Sequence, residues 1–126
     1  MTIDDPTLLA EATAPFLEYE RASMTDDSPA MDLPFNDAPT TNHHGVGEVL
    51  NGIAEIRAFR KGRGGSPQRK PGKVTITAHG DGFATADAEF FRENSDRRGQ
   101  QTRSWVKFPD GWKIDSAHVG MEGSTS

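Results

Sequence analysis

Apolar positions recur at three- and four-residue spacing in the first stretch of the chain. Leu8, Leu9, Ala12, Phe16 and Tyr19 fall on one side of a helix. Asp5 can cap that helix and Pro6 fits its first turn. The pattern predicts helix over 7–24, bent or split at Pro15, which has no N–H to donate and crowds the preceding turn. Ser28-Pro29 opens a short second helix carrying Ala30, Met31 and Leu33, and Pro34 ends it. Thr40 to His44 reads as a short strand and Gly45 to Glu48 as a turn. A third helix follows from Asn51-Gly52, with Ile53, Ile56, Phe59 and Arg60 sharing a face and Gly62 stopping it.

From Val74 the period changes to two. Val74, Ile76 and Ala78 alternate with polar residues, Gly80-Asp81-Gly82 turns the chain, and Ala84, Ala86, Ala88 and Phe90 continue the alternation. A three-residue loop pairs 78 with 84, 76 with 86 and 74 with 88, so the small apolar residues share one face. The last hairpin is built around Pro109-Asp110-Gly111. Pro presets the turn, and Gly tolerates the left-handed conformation after it. A three-residue connection sets Phe108 opposite Trp112, Val106 opposite Ile114, Ser104 opposite Ser116 and Thr102 opposite His118. That face is apolar at the turn and polar at the far end, as a lined cavity requires. Trp105 falls on the other face.

The order is helix, helix, short strand, helix, then four antiparallel strands. Helices segregated to one face of such a sheet make an α+β domain. One domain is expected over 1–121, with a disordered tail at 122–126. Lys61 to Gly72, dense in Gly, Pro and charge, reads as a mobile connection. It is either a solvated loop of like charges or a lid that brings Arg63 or Arg69 to an anionic ligand.

Composition narrows the classes of function. The 126 residues suit one core, and at 33% hydrophobic much of the chain must be loop or tail. A net charge of −5 argues against a nucleic-acid partner, which needs a basic field. With no Cys, disulfides, thiolate nucleophiles and Cys-ligated zinc drop out. No apolar run is long enough to span a bilayer, and the acidic N-terminus is unlike a secretory signal, so a cytoplasmic protein is expected. His43 and His44 are adjacent on a strand and point to opposite faces, so they cannot share a metal. No metal or other cofactor is expected.

The candidate chemistry is small-molecule chemistry. His118, at the polar end of the hairpin, is the candidate general base, because imidazole titrates near neutrality. Arg57, Arg60, Arg92 and Arg103 are anion-clamp candidates, since guanidinium binds carboxylate bidentately. Asn42 and His44 are placed toward the cavity, and Tyr19 and Gln101 complete the ligand-binding set. Asp87 and Glu89 share a strand face, where they are either an acid–base pair, if buried, or part of a solvated outer surface.

These residues carry a resemblance. Phe16…Tyr19-Glu20-Arg21-Ala22, Gly45…Glu48-Val49-Leu50-Asn51-Gly52-Ile53…Ile56-Arg57-Ala58-Phe59-Arg60, Gly99…Gln101 and Trp105-Val106…Phe108-Pro109-Asp110-Gly111-Trp112…Ala117-His118-Val119 are similar to the AtzH-like group, which includes proteins of oxalurate catabolism. That group lies within the nuclear transport factor 2-like superfamily. The resemblance implies a cone of three N-terminal helices packed on a curved, mainly antiparallel sheet, a small-molecule pocket and a homodimer. It also implies a role beside amide- or ureide-degrading hydrolases. Where relatives carry a Pro-Arg-Thr run and a further strand Arg, this chain has Thr40 and His43. A strand Arg of relatives is Gln100 here, and Arg103 follows Gln101 by two. Two functions follow. One is a pocket protein that binds or processes a small carboxylated amide or ureide. The other is a non-catalytic accessory subunit of an amidohydrolase, with its pocket filled and an apolar patch exposed.

Overall fold

The computed structural model describes residues 1–25, 30–31, 33–63, 69–92 and 96–122. Helix α1 runs from Pro6–Met24, capped as expected by Asp5, whose carboxylate accepts from the Thr7 and Leu8 N–H groups at 3.1 Å. It continues through Pro15 without splitting. Its buried side carries Leu8, Ala12, Phe16, Tyr19 and Ala22. Of the expected second helix, Ala30 and Met31 are helical and residues 28, 29 and 32 lie outside the described ones. Strands β1 (Asn42–Gly45) and β2 (Glu48–Asn51) form a hairpin, and helix α2 (Ile53–Arg63) follows. The residues expected only to lead into that helix are therefore a strand of their own. Gly62 lies within α2 and does not stop it.

Strands β3 (Arg69–His79), β4 (Phe83–Arg92), β5 (Arg98–Phe108) and β6 (Gly111–Met121) form the meander. One six-stranded sheet results, in the order β2-β1-β6-β5-β4-β3, antiparallel except where β1 runs parallel to β6. The β3–β4 pairing is the expected one: 78 with 84, 76 with 86, 74 with 88. Strand β3 begins five residues before Val74, however, because a bulge between Pro71 and Val74 absorbs the missing Pro donor and lets Arg69 pair with Arg92. Part of the expected loop is thus strand; residues 64–68 lie outside the described ones, as do 123–126 of the expected tail.

The β5–β6 hairpin departs from expectation near its turn. Gly111, at φ 123°, joins the ladder opposite Phe108, so the connection is only Pro109-Asp110. Trp105 then faces Ile114, one step off the expected register. A bulge at Asp115 recovers the step, and Ser104–Ser116 and Thr102–His118 pair as expected. The inward positions of β6 therefore switch from even-numbered Ile114 to odd-numbered Ala117. Ile114, Ala117 and Trp105 all lie in the core with α1 and α2, so Trp105 does not supply an outer contact for a dimer. Trp105, Phe16, Ile56 and Ile114 are 1%, 1%, 1% and 0% exposed. Each buried side chain of this kind is worth about 1.5–3 kcal/mol of transfer free energy, and together they clamp the two helices to one face of the curved sheet. Among the described residues no helix is long and apolar enough to cross a membrane.

Candidate functional site

The same face of the sheet, beyond the apolar core, holds a cavity of about 90 Å³. Its floor is Gln101 and Val119 from β5 and β6, and its helical wall is Tyr19, Ile56 and Arg60. Arg69 and Arg92 come from β3 and β4, and His43 and Glu48 from β1 and β2.

Guanidiniums dominate its chemistry. Arg103, 2% exposed, lies with its Cζ 4.0 Å from the centre of the Tyr19 ring. It donates to Glu20 Oε1 at 3.0 Å and to the Gln101 side-chain carbonyl. Arg69 donates to both Glu20 oxygens at 3.3 Å and lies over the Phe90 ring at 5.0 Å. Arg60, 8% exposed, sits 5.7 Å from the Phe35 ring centre. Arg69 and Arg92 are directly opposed on neighbouring strands, a like-charge pairing that is unfavourable unless an anion sits between them.

Two groups register this field. Burial pushes the Tyr19 phenol up, but Arg103, Arg60 and Arg69 outweigh it and hold the phenol below the ordinary tyrosine value. Burial lowers Arg69, Glu20 pulls it back up, and the like charges of Arg103 and Arg92 help leave it below the usual arginine value. One carboxylate, Glu20, is shared between Arg69 and Arg103.

Of the residues singled out in the sequence, Tyr19, Arg60, Arg92 and Gln101 line the cavity, and Arg103 stands directly behind it. Arg57 is exposed, 3.8 Å from Asp37. Asn42, His44 and His118 lie on the opposite face of the sheet. The Ser116 hydroxyl donates to Asn42 Oδ1 at 2.8 Å, and the His44 and His118 rings meet edge to face at 6.4 Å. The alternation of β1 turns His43 inward and its neighbours out, and the Asp115 bulge puts His118 outside, exposed. Asp87 is exposed on that outer side, and Glu89 is paired with Arg98 at 3.0 Å. Arg69 was expected on a loop, either solvated or as a lid residue reaching an anionic ligand, and stands instead on strand β3; Glu20 and Glu48 were expected only as pieces of a motif. Among the described residues no three of His, Cys, Asp or Glu gather where they could hold a metal ion.

The comparisons agree with this architecture. A 38% identical protein of unknown function of the DUF3225 family from Pectobacterium atrosepticum superposes with a TM-score of 0.91, over 96% of this chain and 95% of that one. A cystatin-like fold protein from Burkholderia xenovorans does so at 36% identity and a TM-score of 0.91, over 98% of both chains. A nuclear transport factor 2-like protein from Pseudomonas putida, 12% identical with a TM-score of 0.77 over 95% of this chain and 90% of that one, shares the fold alone. No functionally curated protein matches. The AtzH-like family model matches residues 1–125, and the chain belongs to the AtzH-like family, on a nuclear transport factor 2-like fold.

Proposed function

We propose that the chain binds, and in the fuller form of the proposal processes, a small carboxylated amide or ureide of nitrogen catabolism. The observation that carries the reading is the convergence of Arg60, Arg69 and Arg92 on one cavity, with Arg103 behind Tyr19. Guanidiniums gathered on one cavity are suited to hold a ligand carboxylate through bidentate hydrogen bonds. Kinship with the AtzH-like family supports the choice of ligand class. If turnover accompanies binding, Tyr19 is the proton donor, since its phenol faces the cavity and the surrounding charge loosens its proton. His118, on the outer face, is left out of this site. A homodimer through that outer face, and a cytoplasmic setting, belong to the same proposal. The accessory-subunit alternative requires a cavity filled by side chains, and the open volume speaks against it.

A thermal-shift series with small carboxylates, ureides and carboxylated amides tests the reading. Carboxylated compounds should raise the midpoint with concentration, by mass action. Arg92→Ala, which leaves the Glu20 pairs intact, should remove most of that rise while keeping the unliganded midpoint. No rise with any carboxylate would overturn the proposal.

A further inference from the structure

The cavity wall carries one feature that an anion clamp does not need. Glu48, on edge strand β2, points its carboxylate into the same cavity as the arginines, and its neighbour Val49 points out at 64% exposed. In the strand order β2-β1-β6-β5-β4-β3, Glu48 stands at one edge of the sheet and the Arg69–Arg92 pair at the other. The cavity is therefore lined by an acid from the strand at one edge and by the Arg69–Arg92 pair from the strands at the other.

Two observations set Glu48 apart from a surface carboxylate that happens to turn inward. Its side chain folds across Gly45, its strand partner, so closely that a Cβ there would stand 2.6 Å from Glu48 Cδ and nearer still to Glu48 Oε1. A side chain at 45 would make the Glu48 carboxylate swing aside. Glu20 is held by Arg69 and Arg103. Glu48, by contrast, makes no ion pair or hydrogen bond among the described residues, so its acceptor oxygens are available to a ligand.

We infer that Glu48 is the specificity-determining residue of the cavity. It accepts a hydrogen bond from an N–H group at one end of a ligand whose carboxylate is held by the arginines at the other. This rests on the carboxylate-binding reading and narrows it. An ionised carboxylate is an acceptor only, so it pairs with an amide, ureide or ammonium N–H and repels a second carboxylate. Selectivity built from one attractive and one repulsive contact separates molecules of nearly the same shape, such as a dicarboxylate and its half-amide.

The test compares succinamate, succinate and butyrate by calorimetric titration. They share a four-carbon chain and one carboxylate, and differ in carrying an amide, a second carboxylate or a methyl group at the far end. The wild-type chain should bind succinamate about tenfold or more tighter than succinate, with butyrate between them. Glu48→Gln keeps the shape, removes the charge and should bring succinate level with succinamate. Arg92→Ala should weaken all three without changing their order. A wild-type preference for succinate, or an order unchanged in Glu48→Gln, overturns the inference while leaving the carboxylate reading in place. Failure of all three to bind removes both. Gly45→Ala is a second variant, independent of charge: it should displace the Glu48 side chain and reduce the same preference, and an unaltered preference there counts against the inference.

Discussion

Phe90 links a packing contact to the binding chemistry. One face of its ring lies under the Arg69 guanidinium at 5.0 Å, and its edge closes on Gly99, its partner across β4 and β5. A Cβ at 99 would come within 2.6 Å of Phe90 Cε2, well inside contact distance. Since an aromatic ring has no flexible end to bend away, Gly99→Ala must displace it. The expected cost is about 1–3 kcal/mol, the range for overpacking, measured by urea denaturation. The same variant should weaken carboxylate binding, because Arg69 loses the surface it rests on. A variant with wild-type stability would mean that the ring moves freely. Tyr19 and Glu20 act at the same scale: adjacent on α1, they meet Arg103 in different ways, the ring by its face and the carboxylate by a hydrogen bond.

Among the elements, β6 decides what the sheet presents. Its first half offers Ile114 to the core and its second half Ala117, and the single extra residue Asp115 accounts for the switch. Deleting Asp115 would remove the extra residue and let Ser116 follow Ile114 in a regular ladder, with Ala117 still inward and His118 still out. A side-chain period of two makes the alternative, a slip of one residue, costly along a whole face. The deletion variant should keep a cooperative thermal transition, whereas loss of that transition would show that the fold depends on the bulge itself. This bulge also marks the limit of what the sequence revealed. The alternation of Ala84, Ala86 and Ala88 against Ile76 and Ala78 was readable because both strands are regular and the loop length agrees with the pattern. Trp105 and His118 were assigned to the wrong faces because a bulge has no composition of its own, and Pro109-Asp110-Gly111 fits a two- or a three-residue connection. Arg69 reads as a loop or lid residue and not as a strand residue for a similar reason: Pro71 and Gly72 read as loop, yet they flank an irregularity within a strand. Helix faces were more legible. Tyr19 and Arg60 follow from spacing along α1 and α2, although only the fold brings them to one cavity.

For the whole molecule, the arrangement separates two charge patterns. The chain as a whole carries −5, while the cavity gathers arginines from three strands and a helix. Steering by net charge therefore does not favour an anion, and affinity must come from short-range pairing inside the cavity.

The parallel contact between β1 and β6 has a consequence in time. Asn42 and Ser116, which meet across it, are 74 residues apart in sequence, whereas β3 to β6 pair through short connections. Closing a long loop carries an entropic cost that neighbouring hairpins avoid, and it must be met before the contact yields anything. The meander should therefore organise first, and β1 and β2 should then dock on a surface formed by strands that follow them in the chain. In refolding followed by pulsed hydrogen exchange, amides of β4 and β5 should gain protection ahead of those in β1; simultaneous protection would refute that order. Until β6 is in place the cavity lacks both its floor and the wall that bears Glu48, so ligand recognition is the last property this chain acquires.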